Sequence, residues 1–182
     1  MLKTKDIVDE KNKILRTVSK EVTFPMSKED LNTIDLMIEY LTNSQIEEKA
    51  EKYDLRPGMG LAAIQLGIPK RYLTIVHEVD DGIFDNYVIV NPKIVSSSLE
   101  KIYVEDGEGC LSINRETCGI VPRYARITVE GYDTEGRKIQ IRAREELAIA
   151  FQHEIDHLNG ILFIDHIDKN NPYKDKDKYR PI

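Results

Sequence analysis

The sequence predicts an α+β fold, in which antiparallel β-sheets pack around one central helix carrying His153-Glu154-Ile155-Asp156-His157. Three observations predict it. Short runs rich in β-branched and aromatic residues recur along the chain, separated by turn dipeptides at Asp81-Gly82, Asn91-Pro92 and Glu135-Gly136. An apolar stretch, Leu147-Ala148-Ile149-Ala150-Phe151, leads directly into the histidine run, which would bury a helix there. The chain has 182 residues and is 41% hydrophobic, enough for one substantial core.

Taken in order, Ser27 followed by Asp30 predicts a helix start, with an acidic residue in place of the usual Glu or Gln. Leu31, Ile34, Ile38 and Leu41 then repeat at helical spacing, giving a scaffold helix with no chemistry on it. The charged segment Ile46 to Tyr53 either prolongs that helix or forms a surface insertion. Strands are expected at Tyr72–Glu78, Tyr87–Val90, Lys93–Ser96, Arg126–Tyr132 and Lys138–Arg142. The central helix should run from about Glu145 to Asn159, where Gly160 suits its C-terminal stop. Beyond it, the apolar Ile161-Leu162-Phe163-Ile164 reads as a short buried strand. The last segment, 168–182, alternates Lys and Asp between prolines and reads as a partly ordered surface tail on a single domain spanning 1–182.

A net charge of −6 implies no broad basic surface, so no nucleic-acid binding is expected. No run of about 18 apolar residues suggests a membrane span, and the N-terminus lacks the apolar core of a signal peptide. With two cysteines in no pairing pattern, the expectation is a cytoplasmic protein.

On a helix, His153 and His157 lie one turn apart, roughly 5–6 Å between Cβ atoms, so both imidazoles can reach one divalent ion. Glu154 is then free for proton transfer. The run continues Leu158-Asn159-Gly160, matching the pattern H-E-x-x-H-x-x-G-x-x-H as far as the glycine; Phe163 stands where the third histidine belongs. A third ligand must come from elsewhere if the site is catalytic. Downstream candidates are Asp165, His166 and Asp168. Cys110 is the better one, flanked by Gly107 and Gly109 and close to Glu108, because a thiolate and two imidazoles leave one coordination position open. A buried structural cysteine and, last, a disulfide to Cys118 are the alternatives. A third segment, Gly58-Met59-Gly60-Leu61-Ala62-Ala63-Ile64-Gln65, places two glycines where backbone must approach a neighbour, and Gln65 offers an amide donor suited to an oxyanion. Read alone, this segment is more simply a glycine-rich turn opening a helix; it has neither the ending nor the spacing of a phosphate loop.

G-x-G-L-A-A-x-Q at 58–65, E-G-C-L-S at 108–112 and Q-H-E-x-D-H at 152–157, in that order, resemble peptide deformylase. Val90-Asn91-Pro92 and Val121-Pro122-Arg123 extend the likeness, and the long segment between Ser44 and Gly58 resembles the form common in Gram-positive bacteria. The resemblance implies removal of the formyl group from an N-formylmethionyl peptide, releasing formate. It implies that Cys110, His153 and His157 hold the metal, that Glu154 moves the proton, and that Gln65 and the Leu111 N–H stabilise the oxyanion. Gly60 would contact the substrate backbone, and Gly58, Met59, Ile149 and Ala150 would border a methionine pocket. Ferrous iron (Fe2+) is the implied native metal, replaceable by Zn2+, Ni2+ or Co2+; donor softness alone favours Zn2+. A transient ribosome contact also follows from the likeness. The departures are Ile64, where a proline or small polar residue is more usual, and the extra thiol Cys118.

Glu108 and Asp156 are candidates to orient the histidines, with Arg123 available to pair with Glu108. His77 and His166 read as structural. Two other functions remain: a zincin-type metalloprotease, which Phe163 argues against, and a non-catalytic site that adds His166 or Cys118 as a fourth ligand.

Overall fold

The computed structural model describes residues 1–182 and has the predicted α+β character. Three helices, α1 (Lys28–Ser44), α2 (Glu47–Tyr53) and α3 (Glu145–Leu158), combine with eight strands. These are β1 (Gly60–Ala62), β2 (Tyr72–Asp80), β3 (Ile83–Ser97), β4 (Lys101–Tyr103), β5 (Arg123–Tyr124), β6 (Arg126–Tyr132), β7 (Lys138–Arg144) and β8 (Arg180–Pro181). The main sheet has the order β1-β2-β3-β6-β7, all antiparallel; a small sheet has the order β5-β4-β8, with β8 parallel to β4.

The first half of β2 is buried on both faces. Alternation sends Tyr72 and Val76 to one side, into a core shared with Ile34, Met37 and Leu41 of α1. Leu73 and Ile75 face the other side, into a core shared with Ala148, Phe151 and Ile155 of α3. The sheet is therefore a partition between two helical layers. Ile127 and Val129 of β6 and Ala143 of β7 extend the α3 side while their neighbours face solvent.

Helix α1 starts as its sequence predicts: Ser27 Oγ accepts the Asp30 N–H at 3.1 Å and donates to Asp30 Oδ2 at 2.6 Å. Helix α2 is a separate element. The chain is extended at Ile46, and Asp54 closes α2 in the left-handed region at φ 54°. Beneath this break, Gln45 Nε2 donates to the carbonyls of Leu41, Gly58 and Val76, fixing the glycine segment against α1 and β2.

Three local expectations are corrected. Asn91-Pro92 does not separate two strands; β3 runs through it with a shift of register between Val90 and Lys93. Asn91 adopts φ 52°, and its side chain pairs with both the N–H and the carbonyl of Val22, so the proline is absorbed as a bulge. The glycine segment opens no α-helix: it forms β1 and then a 3₁₀ turn, Ala63–Leu66. Ile161–Ile164 forms no strand, because Asp165 captures the Leu162 N–H at 2.9 Å and winds Phe163–His166 into another 3₁₀ turn. Segment 168–182 is largely exposed and rich in turns, yet its end is tied down: Ile182 N–H donates to Tyr103, and Arg180 bridges Glu100 and Glu145.

Lys70 Nζ donates to both carboxylate oxygens of buried Asp30, at 2.7 and 2.8 Å, locking α1 to the start of β2. Burial alone would raise the Asp30 carboxyl; hydrogen bonds from Lys70 and Ser27 outweigh it and hold the group below the usual range. A lowered folded-state pKa contributes stability above the unfolded value of about 3.9, and that stability is lost as pH falls through the folded value. Asp30→Asn should therefore cost about 1–3 kcal/mol at pH 7, and urea denaturation should show the gap from wild type narrowing as pH falls below the unfolded value of about 3.9.

Candidate metal centre and its cavity

Helix α3 matches the sequence expectation at both ends. Glu145 and Glu146 occupy its first turn, where acids suit the dipole. At the other end Gly160 takes φ 75°, with its N–H returning to the His157 carbonyl. A Cβ on Gly160 would lie 2.8 Å from the Arg16 carbonyl oxygen, so the close approach also requires glycine.

One turn apart on the buried face of α3, His153 and His157 bring their Nε2 atoms to 3.2 Å from each other. Cys110 Sγ, from the loop after β4, lies 3.3 Å from His157 Nε2. The donor atoms of these three buried residues all lie within 4.8 Å of one another. The downstream alternatives point elsewhere. Asp165 pairs with Arg16, His166 with Asp156, and Asp168 with Lys174. Phe163 stacks on the His153 ring with centroids 5.9 Å apart, so the position that lacks a histidine packs the one present. Both cysteines are free, with Cys118 exposed.

The charges around this cluster favour a cation within it. His153 Nδ1 meets Glu108 Oε1 at 2.6 Å. Burial disfavours a charged His153, but Cys110 and Glu108 beside it overcome this and raise its pKa well above the ordinary value. Burial and the positive charge of His153 together push His157 well below. Burial would raise Glu108, but the bond from His153 and the Arg123 guanidinium bring it down to about 2. Arg123, itself buried, grips Glu108 through two nitrogens at 2.7 and 3.0 Å and reaches Asp156 at 2.5 Å. Asp156 thus supports the site through Arg123 and touches neither histidine of the cluster. With Nδ1 of His153 turned to Glu108, both Nε2 atoms and the sulfur converge on one point, and a thiolate with two imidazoles is a donor set that fits one divalent cation.

Glu154 lies on the wall of the adjoining cavity, of about 360 Å³, and its Oε2 is buried with no hydrogen-bond partner. Burial raises this carboxyl to about 7, opposed by His153 and reinforced by the charge of Glu108. Gly58, Met59, Gly60, Gln65, Cys110, Leu111, Ile149 and Ala150 line the same cavity. Gln65 Oε1 accepts the Ala62 N–H at 2.8 Å, which turns Nε2 toward Ser112 Oγ at 3.3 Å and Cys110 Sγ at 3.9 Å. The three sequence motifs, far apart along the chain, thus meet at one point.

A family model described as polypeptide deformylase matches residues 4–173. The chain belongs to the polypeptide deformylase family. Peptide deformylase 2 of Bacillus anthracis is 51% identical to it over 183 residues, covering 100% of this chain and 99% of that relative. The peptide deformylase of Halalkalibacterium halodurans is 51% identical over 176 residues, 96% of each. Among solved structures, a plant peptide deformylase superposes with a TM-score of 0.75 at 29% identity, covering 90% of this chain and 80% of that one. The deformylase of Thermotoga maritima gives 0.69 at 33% identity, covering 89% and 96%. Members of the family are metalloenzymes, in keeping with the cluster of Cys110, His153 and His157.

Four residues that line the deformylase cavity are not singled out by the sequence: Arg56, Pro57, Val104 and Glu146. Arg56 and Pro57 stand directly before Gly58, a signal that could have drawn them in; Val104 and Glu146 carried none.

Glu108→Gln keeps the shape of the residue but removes the charge facing His153. Metal affinity should fall about 10–100-fold, measured by competition with a chromophoric chelator; unchanged affinity would show that His153 needs no anionic support.

Proposed function

We propose that this protein hydrolyses the N-terminal formyl group of formyl-methionyl peptides of newly made proteins, acting as one catalytic unit. The observation that supports this best is the meeting of all three motifs on one cavity, with a carboxyl raised to about 7 beside three convergent metal donors. Cys110, His153 and His157 would hold the cation. When bound, it supplies Lewis acidity and lowers the pKa of water from 15.7 to about 7.

The remaining work falls to the protein. Gly60 lies in β1, the outermost strand of the main sheet, so its backbone groups on the open side are available to an extended peptide. Gly58, Met59, Ile149 and Ala150 border space suited to the methionine side chain. Glu154 accepts the proton of the water that adds to the formyl carbon and delivers it to the departing amine as the C–N bond breaks. Formate and a peptide with a free N-terminus result. Gln65 Nε2 and the Leu111 N–H stabilise the negative charge that collects on the formyl oxygen. The Leu111 N–H donates to no protein acceptor, which suits that role.

We assign Fe2+ as the native ion, with Zn2+, Ni2+ or Co2+ as substitutes; metal analysis of protein purified without oxygen tests this. The same reading places the enzyme in the cytoplasm, in transient contact with ribosomes, where formylated chains emerge. Net charge gives no basis for a nucleic-acid partner of its own. None of the helices is long and apolar enough to cross a membrane.

Formate release from a short formyl-methionyl peptide is expected from wild type and not from Glu154→Ala; cleavage of internal peptide bonds instead would favour a protease. Gln65→Ala should raise the barrier by about 2.7–4 kcal/mol with metal retained, and unchanged turnover would remove Gln65 from the mechanism. A Cβ at position 60 would sit 2.6 Å from Glu154 Oε1 and 2.7 Å from its Cγ. Gly60→Ala should therefore displace the carboxylate and lower kcat about 100-fold, read from steady-state kinetics of the folded variant.

A further inference from the structure

We infer that Arg56 is a positioning residue that sets the orientation of the Leu111 N–H, and so builds half of the oxyanion site. The inference rests on the deformylase reading above. One guanidinium gathers the loop that follows β4. Nη2 donates to the carbonyls of Cys110 at 3.1 Å and Ile113 at 3.2 Å, and Nη1 donates to the Leu111 carbonyl at 3.3 Å and to Asn114 Oδ1. The peptide bond between Cys110 and Leu111 is trans, and in a planar trans peptide the C=O and N–H point in opposite directions. Holding the Cys110 carbonyl toward Arg56 therefore turns the Leu111 N–H away from it, and that N–H is left without a protein acceptor.

The donor is itself anchored. The Arg56 N–H donates to Thr4 Oγ1 at 3.1 Å, and its carbonyl accepts from the Tyr40 hydroxyl at 3.1 Å. Arg56 also lines the catalytic cavity, so its head lies at the border of loop and substrate. A second restraint acts on the same plane: the Ile113 N–H closes a turn on the Cys110 carbonyl at 3.2 Å. Loss of Arg56 should accordingly weaken the orientation without abolishing it. A lysine carries the charge but cannot span several carbonyls, because its ammonium lacks the planar fork.

The test is steady-state formate release from a formyl-methionyl tripeptide by metal-loaded wild type, Arg56→Ala and Arg56→Lys, with metal content and melting temperature recorded. Expected are a fall in kcat of about 10–100-fold for Arg56→Ala, at or below the loss of a whole oxyanion donor, and a KM within roughly twofold of wild type. Metal content should be unchanged, and added guanidinium ion should restore part of kcat. If Arg56→Ala does not fold, Arg56→Lys decides: kcat per bound metal falls about tenfold if the fork matters. A kcat per bound metal equal to wild type in the folded variant overturns the inference, as does a loss explained wholly by missing metal. An active wild type with an unaffected variant removes Arg56 alone, whereas an inactive wild type removes the deformylase reading and this inference with it.

Discussion

The chain of charge from Arg123 through Glu108 to His153 is the constraint on which the rest of the site depends. It joins β5, the loop after β4 and α3. A buried guanidinium costs several kcal/mol unless its partners stay ionised and well placed. Here both partners are acidic residues held on other elements, so the three segments help to fix one another. Phe163 then closes the far face of the His153 ring. The imidazole is held by charge on one side and by packing on the other, which leaves a single nitrogen free to face Cys110 and His157.

The two-sided burial of β2 explains how so short an edge strand as β1 can be placed with accuracy. Its residues register against Leu73, Thr74 and Ile75, which are themselves clamped between α1 and α3. Gln45 adds a third point of attachment at Gly58. The approach of Gly60 to Glu154 follows from this bracing rather than from any preference of the glycines themselves.

Much of this was legible in the sequence because it is local. The extent of α3 could be read from its apolar run and from Gly160, and the start of α1 from Ser27 and Asp30. The pairing of Arg123 with Glu108 followed from residue type and the proximity of Glu108 to Cys110. What failed was non-local. Nothing adjacent to Asn91-Pro92 reveals that Val22, distant in sequence, pairs with the asparagine side chain and turns an expected strand break into a bulge. Arg56 was missed for a similar reason, since its four acceptors lie in a loop more than fifty residues away. The coil of Phe163–His166 is a local exception: the Asp165 carboxylate reaches back three positions to the Leu162 N–H, against the strand-like reading of the apolar run.

Leu111 occupies a double position. Its side chain belongs to the hydrophobic cluster on the α1 face, in contact range of Gly58, while its backbone borders the cavity on the α3 face. Most residues of the two layers are insulated from each other by the sheet, so change in one layer should leave the other largely undisturbed. Leu111 breaks that insulation. Sequence drift in the outer layer, including mutations acquired for heat tolerance or under selection by an inhibitor, has through this one leucine a direct mechanical route to the backbone N–H proposed to hold the oxyanion.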